Sequence, residues 1–265
     1  DKYGRIRLWG SVGFIVSVVG IGYVLDYVPI SWLPWMVCAM LAGVAVFARY
    51  LPEAEVLPHK NDHVPIWHVI RKPPVLALIA ACFLMSAAHG PYYSFYSIYL
   101  EDHGYSKSHI GWLWALGVIC EIGVFVYMPQ LFKRYALEHV LMVSFGFAIL
   151  RFLLIAWGIQ YPELIILAQV MHAATFGAYH AAAVALIHRI FKGRHQAKGQ
   201  AFYNGISFGA GGALGSLYAG HTWDWLGPSG TFTIAAGCAA VALVLVWWKL
   251  RPGKIGKTEF DPEDS

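Results

Sequence analysis

The sequence is poor in charged residues. Only 13% of its 265 residues are Asp, Glu, Lys or Arg, whereas 58% are hydrophobic. A water-soluble domain carries about a quarter charged residues, so this composition cannot cover the surface of a soluble two-domain protein. The shortage of charge therefore predicts an all-α integral membrane protein.

Cysteine is also scarce, and the four that are present lie in apolar runs without CxxC or Cys/His spacing. This excludes a disulfide framework and gives no support for a zinc site. The sequence has no HExxH, no P-loop and no dinucleotide-binding motif. We therefore expect no metal, no cofactor and no enzymatic activity. An intramembrane enzyme that uses a buried His as base, and a membrane-embedded receptor or scaffold, stay open as alternative classes.

Long apolar runs dominate what remains. A helix that crosses a bilayer needs about 20 mostly apolar residues. Eight segments of the chain meet this requirement, namely residues 8–26, 32–50, 74–98, 109–130, 138–157, 163–187, 198–219 and 228–249.

Basic residues alternate with these segments. Of the 19 Lys and Arg residues, all except Lys107 and Arg151 fall before the first segment, after the last, in every second connecting loop, or within two residues of the segment ends that border these regions. Cytoplasmic loops carry an excess of Lys and Arg, so the pattern predicts that both ends of this chain are cytoplasmic. Bases spread over separate loops do not form a nucleic-acid-binding patch, and we expect no nucleic-acid partner.

The order of the segments suggests two unequal parts. Residues 1–50 hold one pair of helices, residues 51–73 form a polar, proline-containing cytoplasmic linker, residues 74–250 hold six helices, and residues 251–265 form a cytoplasmic tail. Transporters built from repeated six-helix halves bind substrate between them near mid-membrane. A pair of helices followed by six more predicts helices 5–12 of a twelve-helix transporter, and hence an N-terminally truncated chain.

Three consecutive segments each carry an ionisable residue inside the apolar run. These are Glu121, Arg151 and His172, with His180 two turns beyond His172 on the same helix face. Ionisable residues within a membrane are costly and are functional by default. We predict a Glu121–Arg151 pair beside His172, which serves either as a proton relay and substrate site or as a structural ion pair.

Two further patterns allow more than one interpretation. His89, Tyr92, Tyr96 and Tyr99 share one helix face, which favours either core packing or a stacking wall for a ring-bearing substrate, and Gly90-Pro91 predicts a break in that helix. In "NGISFGAGGALGSLYAG" (204–220), the pairs Gly205/Gly209 and Gly211/Gly215 predict either close helix packing or a flexible element.

Several stretches of the chain resemble proton symporters of the major facilitator superfamily. "AHGPYYSFYSIYLEDHGYS", "GWLWALGVICEIGVF" and "MHAATFGAYHAA" are similar to the phenylpropionate permease group. "KYGRIRLWGSVGF" and the Glu121, Arg151 and His172 series more distantly resemble the lactose permeases. The resemblance implies a major facilitator-type bundle in a bacterial inner membrane, which acts as a monomer in the lipid bilayer.

The resemblance also implies roles for individual residues. Glu121, Arg151 and His172 are expected to couple protons, and Arg151 also to bind substrate. The other substrate-binding residues that it implies are Arg7, Ser11, Phe14, His89, Tyr92, Tyr96 and His180.

Departures from the lactose permeases argue against a disaccharide. Thr175 stands where they have a second Glu, Phe14 replaces a stacking Trp, and their Asp and Lys pairs have no counterpart here. The expected function is proton-coupled uptake of an aromatic carboxylate such as phenylpropionate, with a sugar or nucleoside as the alternative.

Overall fold

The part of the chain that the structure describes is entirely helical. The computed structural model describes residues 2–50, 66–192 and 195–250, with side chains from residue 9 onward. Within these ranges, every predicted apolar segment corresponds to one long helix. The helices are α1 (Lys2–Leu25), α2 (Leu33–Ala48), α3 (Pro73–Asp102), α4 (Lys107–Arg134), α5 (Leu137–Gly158), α6 (Pro162–Ile190), α7 (196–226) and α8 (228–249).

Length and apolarity confirm the membrane assignment. Among the described residues, six helices are long and apolar enough to cross a bilayer, and the last of these, Gln196–Lys249, contains both α7 and α8. The apolar part of α1, Trp9–Leu25, is shorter. Most of the predicted linker and the whole predicted tail lie outside the described residues.

A glycine divides the last 54-residue helix into two. Gly227 has φ 72° and ψ 176°, a conformation that residues with a Cβ avoid. Pro228 follows and cannot donate a helical hydrogen bond. The break falls between the predicted segments 198–219 and 228–249, although α7 continues past the end of the first, at residue 219. The hydroxyls of Thr222 and Thr231 lie 3.0 Å apart across the break and hold the two helix ends together.

The predicted break at Gly90-Pro91 is wrong, because α3 runs without interruption through Pro91. A proline inside a helix leaves the carbonyl four residues earlier without its N–H donor, and here that carbonyl belongs to Ala87. The Ala87 oxygen lies against Gly215 of α7, where a Cβ would approach it to 2.5 Å. The neighbouring helix therefore covers the carbonyl at close range, an approach that only a glycine at position 215 permits.

The four glycines predicted to pack in α7 fall into two pairs. Gly211 and Gly215 face the backbone of α3, where added Cβ atoms would lie 2.6 Å from the Phe83 carbonyl oxygen and 2.5 Å from that of Ala87. Cβ atoms at Gly205 and Gly209 would meet nothing within 4 Å. Close packing is thus confirmed for the second pair only. The segment Gly205–Gly211 is π-helical, a form that often occurs at functional sites.

We expect Gly215→Ala to destabilise the protein and Gly209→Ala to leave it unchanged or slightly more stable. The new methyl at position 215 would meet only backbone atoms of Ala87 and Gly90, which cannot move aside without separating α3 from α7. Overpacking of this kind costs about 1–3 kcal/mol, whereas an unhindered Gly→Ala change gains about 0.4–1 kcal/mol. Thermal unfolding in detergent measures the difference, and equal melting temperatures for the two variants would contradict this account of the α3–α7 contact.

The N-terminal helix pair joins the rest of the molecule where α1 ends and α4 begins. The Asp26 carboxylate accepts hydrogen bonds from the backbone N–H of Lys107 at 2.8 Å and of Ser108 at 3.3 Å. A carboxylate at a helix N-terminus satisfies free N–H groups and complements the helix dipole. Beside it, Cβ atoms at Gly22 and Gly111 would lie 2.6 Å from carbonyl oxygens of the opposite helix. Asp26 thus caps a close α1–α4 crossing.

The Asp26 cap is expected to persist at neutral pH and to fail only in acid. Hydrogen bonds from Ser108 and from the backbone of Lys107 lower the pKa of Asp26 below its ordinary value of 3.8. A lowered carboxyl pKa stabilises the folded state above the unfolded pKa, and the gain is lost as pH falls through the folded value. Melting temperatures of the protein and of Asp26→Asn should therefore differ by a constant amount between pH 5 and 8. A difference that changes within that range would contradict the assignment.

Candidate functional site

Arg151 is the largest fully buried side chain of the described part of the molecule. It lies midway along α5, and its Nε donates to the Ala168 carbonyl of α6 at 2.9 Å. Its Nη1 contacts His89 Nε2 at 3.3 Å and donates to Thr175 Oγ1 at 3.2 Å. Nη2 has no hydrogen-bond partner. The hydrogen bonds of this buried cation are therefore made with neutral groups, and one of its nitrogens keeps unused donors.

His89 is fixed in one neutral tautomer by its two contacts. Its Nδ1 lies 2.9 Å from the Met85 carbonyl oxygen and so carries a proton that it donates there. Its Nε2 faces Arg151, which can only donate, so Nε2 must accept. The predicted substrate residue His89 thus supports Arg151 from α3.

The aromatic face of α3 packs against this cation. The Arg151 guanidinium lies 4.1 Å from the ring centre of Tyr92, which is within cation–π range. The Tyr92 hydroxyl donates to Gln169 Oε1 at 2.9 Å. Tyr96 follows at a ring-to-ring distance of 4.9 Å, and its buried hydroxyl has no hydrogen-bond partner. Of the two predicted tyrosines, Tyr92 therefore contacts Arg151 and Tyr96 packs against Tyr92.

Glu121 lies against His172. Its Oε2 is 3.9 Å from His172 Nε2, and both side chains are largely buried, with 13% and 7% of their surfaces exposed. Thr175 links His172 to Arg151, since its hydroxyl accepts from Arg151 and donates to the His172 carbonyl at 3.3 Å. The three predicted ionisable residues thus form one cluster, in which His172 contacts Glu121 directly and Arg151 through Thr175. The direct Glu121–Arg151 pair stays a prediction.

Aromatic rings continue from His172 along α6. His172 stacks on Phe176 at 5.3 Å, Phe176 on His180 at 6.1 Å, and His180 on Tyr203 of α7 at 6.2 Å. In an α-helix, the side-chain direction rotates by about 40° between residues that are four positions apart. The segment Ala173–Ala178 is π-helical, and its wider turn brings these rings into line. His180 therefore shares the face of His172, as predicted, and its Nδ1 lies 3.3 Å from the Tyr203 hydroxyl.

Two cavities flank the cluster. A cavity of about 230 Å³ between α3, α6 and α7 is lined in part by His89, Tyr93 and Phe176. A second, of about 470 Å³, lies between α1 and the α3–α4 pair and is lined in part by Phe14, Tyr93 and Trp114. Tyr93 lines both cavities. Aromatic walls around an apolar space next to convergent polar groups are typical of sites for small organic molecules.

The residues predicted on α1 lie apart from the cluster or cannot be placed. Phe14 is 41% exposed and lines the larger cavity, and Ser11 is partly buried one turn earlier. The side chain of Arg7 lies outside the described residues. The sequence interpretation brought α1 and Arg151 into one site, but the described geometry shows only that Phe14 and Tyr93 share a cavity.

Several buried polar residues, inside and outside the cluster, were not predicted from the sequence as interacting residues. Gln169 and Thr175 are uncharged and gave no ionisable signal, although a Gln in the apolar run of α6 is unusual enough to have been noticed. Glu138, at the start of α5, is fully buried and pairs with Arg189 at 3.1 Å, well away from the named cluster in sequence. Among the described residues, no group of three or more His, Cys, Asp and Glu side chains could hold a metal ion.

The comparisons with known proteins agree with this architecture. The model of the MFS_1 like family matches residues 1–234. The chain belongs to this family. It is a multi-pass membrane protein of the major facilitator type, a family of transporters and not of enzymes.

Individual relatives are bacterial transport proteins. The chain is 31% identical to the probable 3-phenylpropionic acid transporter of Escherichia coli K12 over 252 residues. This alignment covers 92% of this chain and 64% of that protein. It is 28% identical over 230 residues to the uncharacterized transporter YwbF of Bacillus subtilis 168, with 85% of this chain and 56% of that protein covered. The chain thus spans less than two thirds of these relatives.

A solved structure confirms the fold. The crystal structure of the nucleoside transporter NupG superposes with a TM-score of 0.80 at 16% identity, covering 94% of this chain and 67% of that one. At this identity the likeness shows the fold alone.

Proposed function

We propose that this protein is a proton-coupled secondary transporter for a small aromatic carboxylate such as 3-phenylpropionate. The observation that carries the proposal is the free Nη2 of a fully buried Arg151. A buried charge is costly unless it is paired, and a substrate carboxylate could both pair with this cation and use its remaining donors. The name of the Escherichia coli relative supports the same substrate class.

The surroundings of Arg151 suit a ring-bearing acid. Tyr93 and Phe176 offer apolar faces in the cavity that His89 also lines, and the ring of Tyr92 packs against the guanidinium. Glu121 beside His172 supplies a carboxylate that can take up and release a proton as the helices move, with His172 as the neighbouring acceptor or donor. His180 and Tyr203 extend the polar path along α6 and α7.

We further propose that the chain corresponds to helices 5–12 of a twelve-helix transporter in a bacterial inner membrane. In this arrangement, both ends of the chain are cytoplasmic, α1 and α2 belong to the first half, and α3–α8 form the second. The distribution of basic residues supports the orientation. The protein would act as a monomer.

A nucleoside or a sugar is the second substrate class. The nucleoside permease NupG of Escherichia coli K12 is 22% identical over 238 residues, and a maltose permease of Geobacillus stearothermophilus is 21% identical over 247 residues. Neither of these substrates carries a carboxylate to pair with Arg151.

The substrate class can be tested by competition. We expect purified protein to bind labelled 3-phenylpropionate, unlabelled 3-phenylpropionate to displace it, and uridine and maltose to leave it bound. The neutral amide of the same acid should compete at least tenfold more weakly, because it lacks the anionic oxygens that a buried guanidinium prefers. Binding of uridine or maltose in place of the acid would refute the assignment.

A further inference from the structure

We propose that Gln169 is a substrate-recognition residue whose side-chain amide donates to the carboxylate of the transported acid, together with Arg151. This inference rests on the proposed function and identifies a residue that decides between an anion and a neutral analogue. It follows from the geometry of the amide, its burial and its neighbours.

The orientation of the Gln169 amide is set by Tyr92. The Tyr92 hydroxyl donates to Oε1 at 2.9 Å, so the oxygen side of the amide is occupied and the Nε2 side is directed elsewhere. Gln169 is fully buried, and Nε2 has no hydrogen-bond partner. The side chain therefore holds two N–H donors ready in a dry environment.

Gln169 lies in the same cluster as the other free donors. Tyr92 contacts it by a hydrogen bond and contacts Arg151 by its ring face, and Arg151 Nε donates to the carbonyl of the preceding residue, Ala168. Arg151 Nη2 and the Tyr96 hydroxyl also lack a hydrogen bond within 3.5 Å, and the Tyr96 hydroxyl lies close enough to Gln169 to interact weakly with it. On the α4 side, a Cβ at Gly117 would lie 3.3 Å from Gln169 Oε1 and 3.3 Å from the His172 ring, so the glycine leaves room for both.

The chemistry of these free groups selects the ligand. Native proteins leave few buried polar groups unpaired. Arg151 Nη2 and Gln169 Nε2 can only donate, so the group that satisfies them must accept several hydrogen bonds. A carboxylate has two oxygens and about four acceptor sites and no donor, whereas a sugar hydroxyl or a nucleoside base presents donors as well. A carboxylate that enters between α5 and α6 could thus accept from both nitrogens, which is the arrangement that the inference requires.

The matched variants are Gln169→Glu and Gln169→Leu. Glu keeps the length of the side chain and an oxygen that can accept from Tyr92, but it replaces both N–H donors by an acceptor. Leu removes the donors and also leaves the Tyr92 hydroxyl without its acceptor, so it reports the cost of losing the whole amide. Tyr92→Phe keeps the amide and removes its anchor. Melting temperatures in detergent show which variants fold.

The readout is the ratio of the dissociation constants for 3-phenylpropionate and its neutral amide. We expect wild-type protein to prefer the acid, and Gln169→Glu to weaken acid binding by at least tenfold, about 1.4 kcal/mol, with binding of the amide analogue changed by less than threefold. The ratio for Gln169→Leu should lie between those of wild type and Gln169→Glu. Tyr92→Phe should lose part of the preference for the acid.

Each result bears on a different statement. If wild-type protein does not bind 3-phenylpropionate, the proposed function fails before Gln169 is tested. If wild type binds the acid and Gln169→Glu retains the same preference, the inference about Gln169 is wrong while the function stands. If Gln169→Glu weakens binding of the acid and of its amide equally, Gln169 shapes the site without recognising the carboxylate. This result also overturns the inference.

Discussion

Arg151→Met should weaken binding of 3-phenylpropionate by at least a hundredfold while the protein still folds. The guanidinium is the charged donor of the cluster, and hydrogen bonds to charged groups contribute about 1.5–3 kcal/mol each. The hydrogen-bond partners of Arg151 are neutral groups, so its replacement by Met takes a charge out of the interior and leaves none of these partners as an unpaired ion. The Met variant leaves the His89 Nε2 acceptor unpaired, so a moderate fall in melting temperature is expected.

Arg151→Lys separates charge from geometry. Lys keeps the positive charge but has no planar fork to reach His89, Thr175 and the substrate together. We expect its affinity to fall between those of wild type and the Met variant. Arg134→Gln is the control, because Arg134 is exposed at the end of α4 and its loss should change nothing. Unchanged affinity in the Met variant, measured on folded protein, would remove Arg151 from the substrate site.

Glu121→Gln should abolish uphill accumulation of substrate but preserve exchange. Gln has nearly the shape of Glu and cannot carry a proton, so a coupling role is lost while the binding site stays intact. In proteoliposomes with an imposed pH gradient, we expect accumulation by this variant to drop to the level of passive equilibration. Exchange of internal for external substrate should stay within about threefold of wild type, a drop of less than 0.7 kcal/mol in transition-state stabilisation.

A matched control for Glu121 is Glu101→Gln. Glu101 is exposed at the end of α3 and pairs at 2.8 Å with Lys107, the first residue of α4. Surface ion pairs contribute little, so this variant should accumulate substrate normally. If Glu121→Gln also accumulates substrate normally, the carboxylate beside His172 is structural and the coupling proton is carried elsewhere.

The helical plan was accessible from the sequence because it depends on the local order of apolar and basic residues. Runs of about 20 apolar residues and the alternation of basic loops are strong signals that tertiary packing does not alter. The failure at Pro91 has a tertiary cause, since Gly215 of a distant helix approaches the carbonyl that the proline leaves free. Likewise, Gly205 and Gly209 have the same spacing as the packed pair, and only the neighbouring helix distinguishes them.

The site was accessible only in part. Glu121, Arg151 and His172 could be chosen because charge inside an apolar run is conspicuous, and they do form one cluster. The neutral partners could not be chosen in this way, because Thr175 and Gln169 act through their distance from Arg151 and Tyr92. The alignment of His172, Phe176 and His180 also depends on a π-helical segment, which sequence periodicity does not reveal.

The most direct test of the central claim is uptake of labelled 3-phenylpropionate into proteoliposomes that contain the protein, with an acidic exterior. The account predicts accumulation above the external concentration, and loss of that accumulation when a protonophore removes the pH gradient. Equilibration without accumulation would contradict proton coupling, and absence of any uptake by folded protein would contradict transport of this acid.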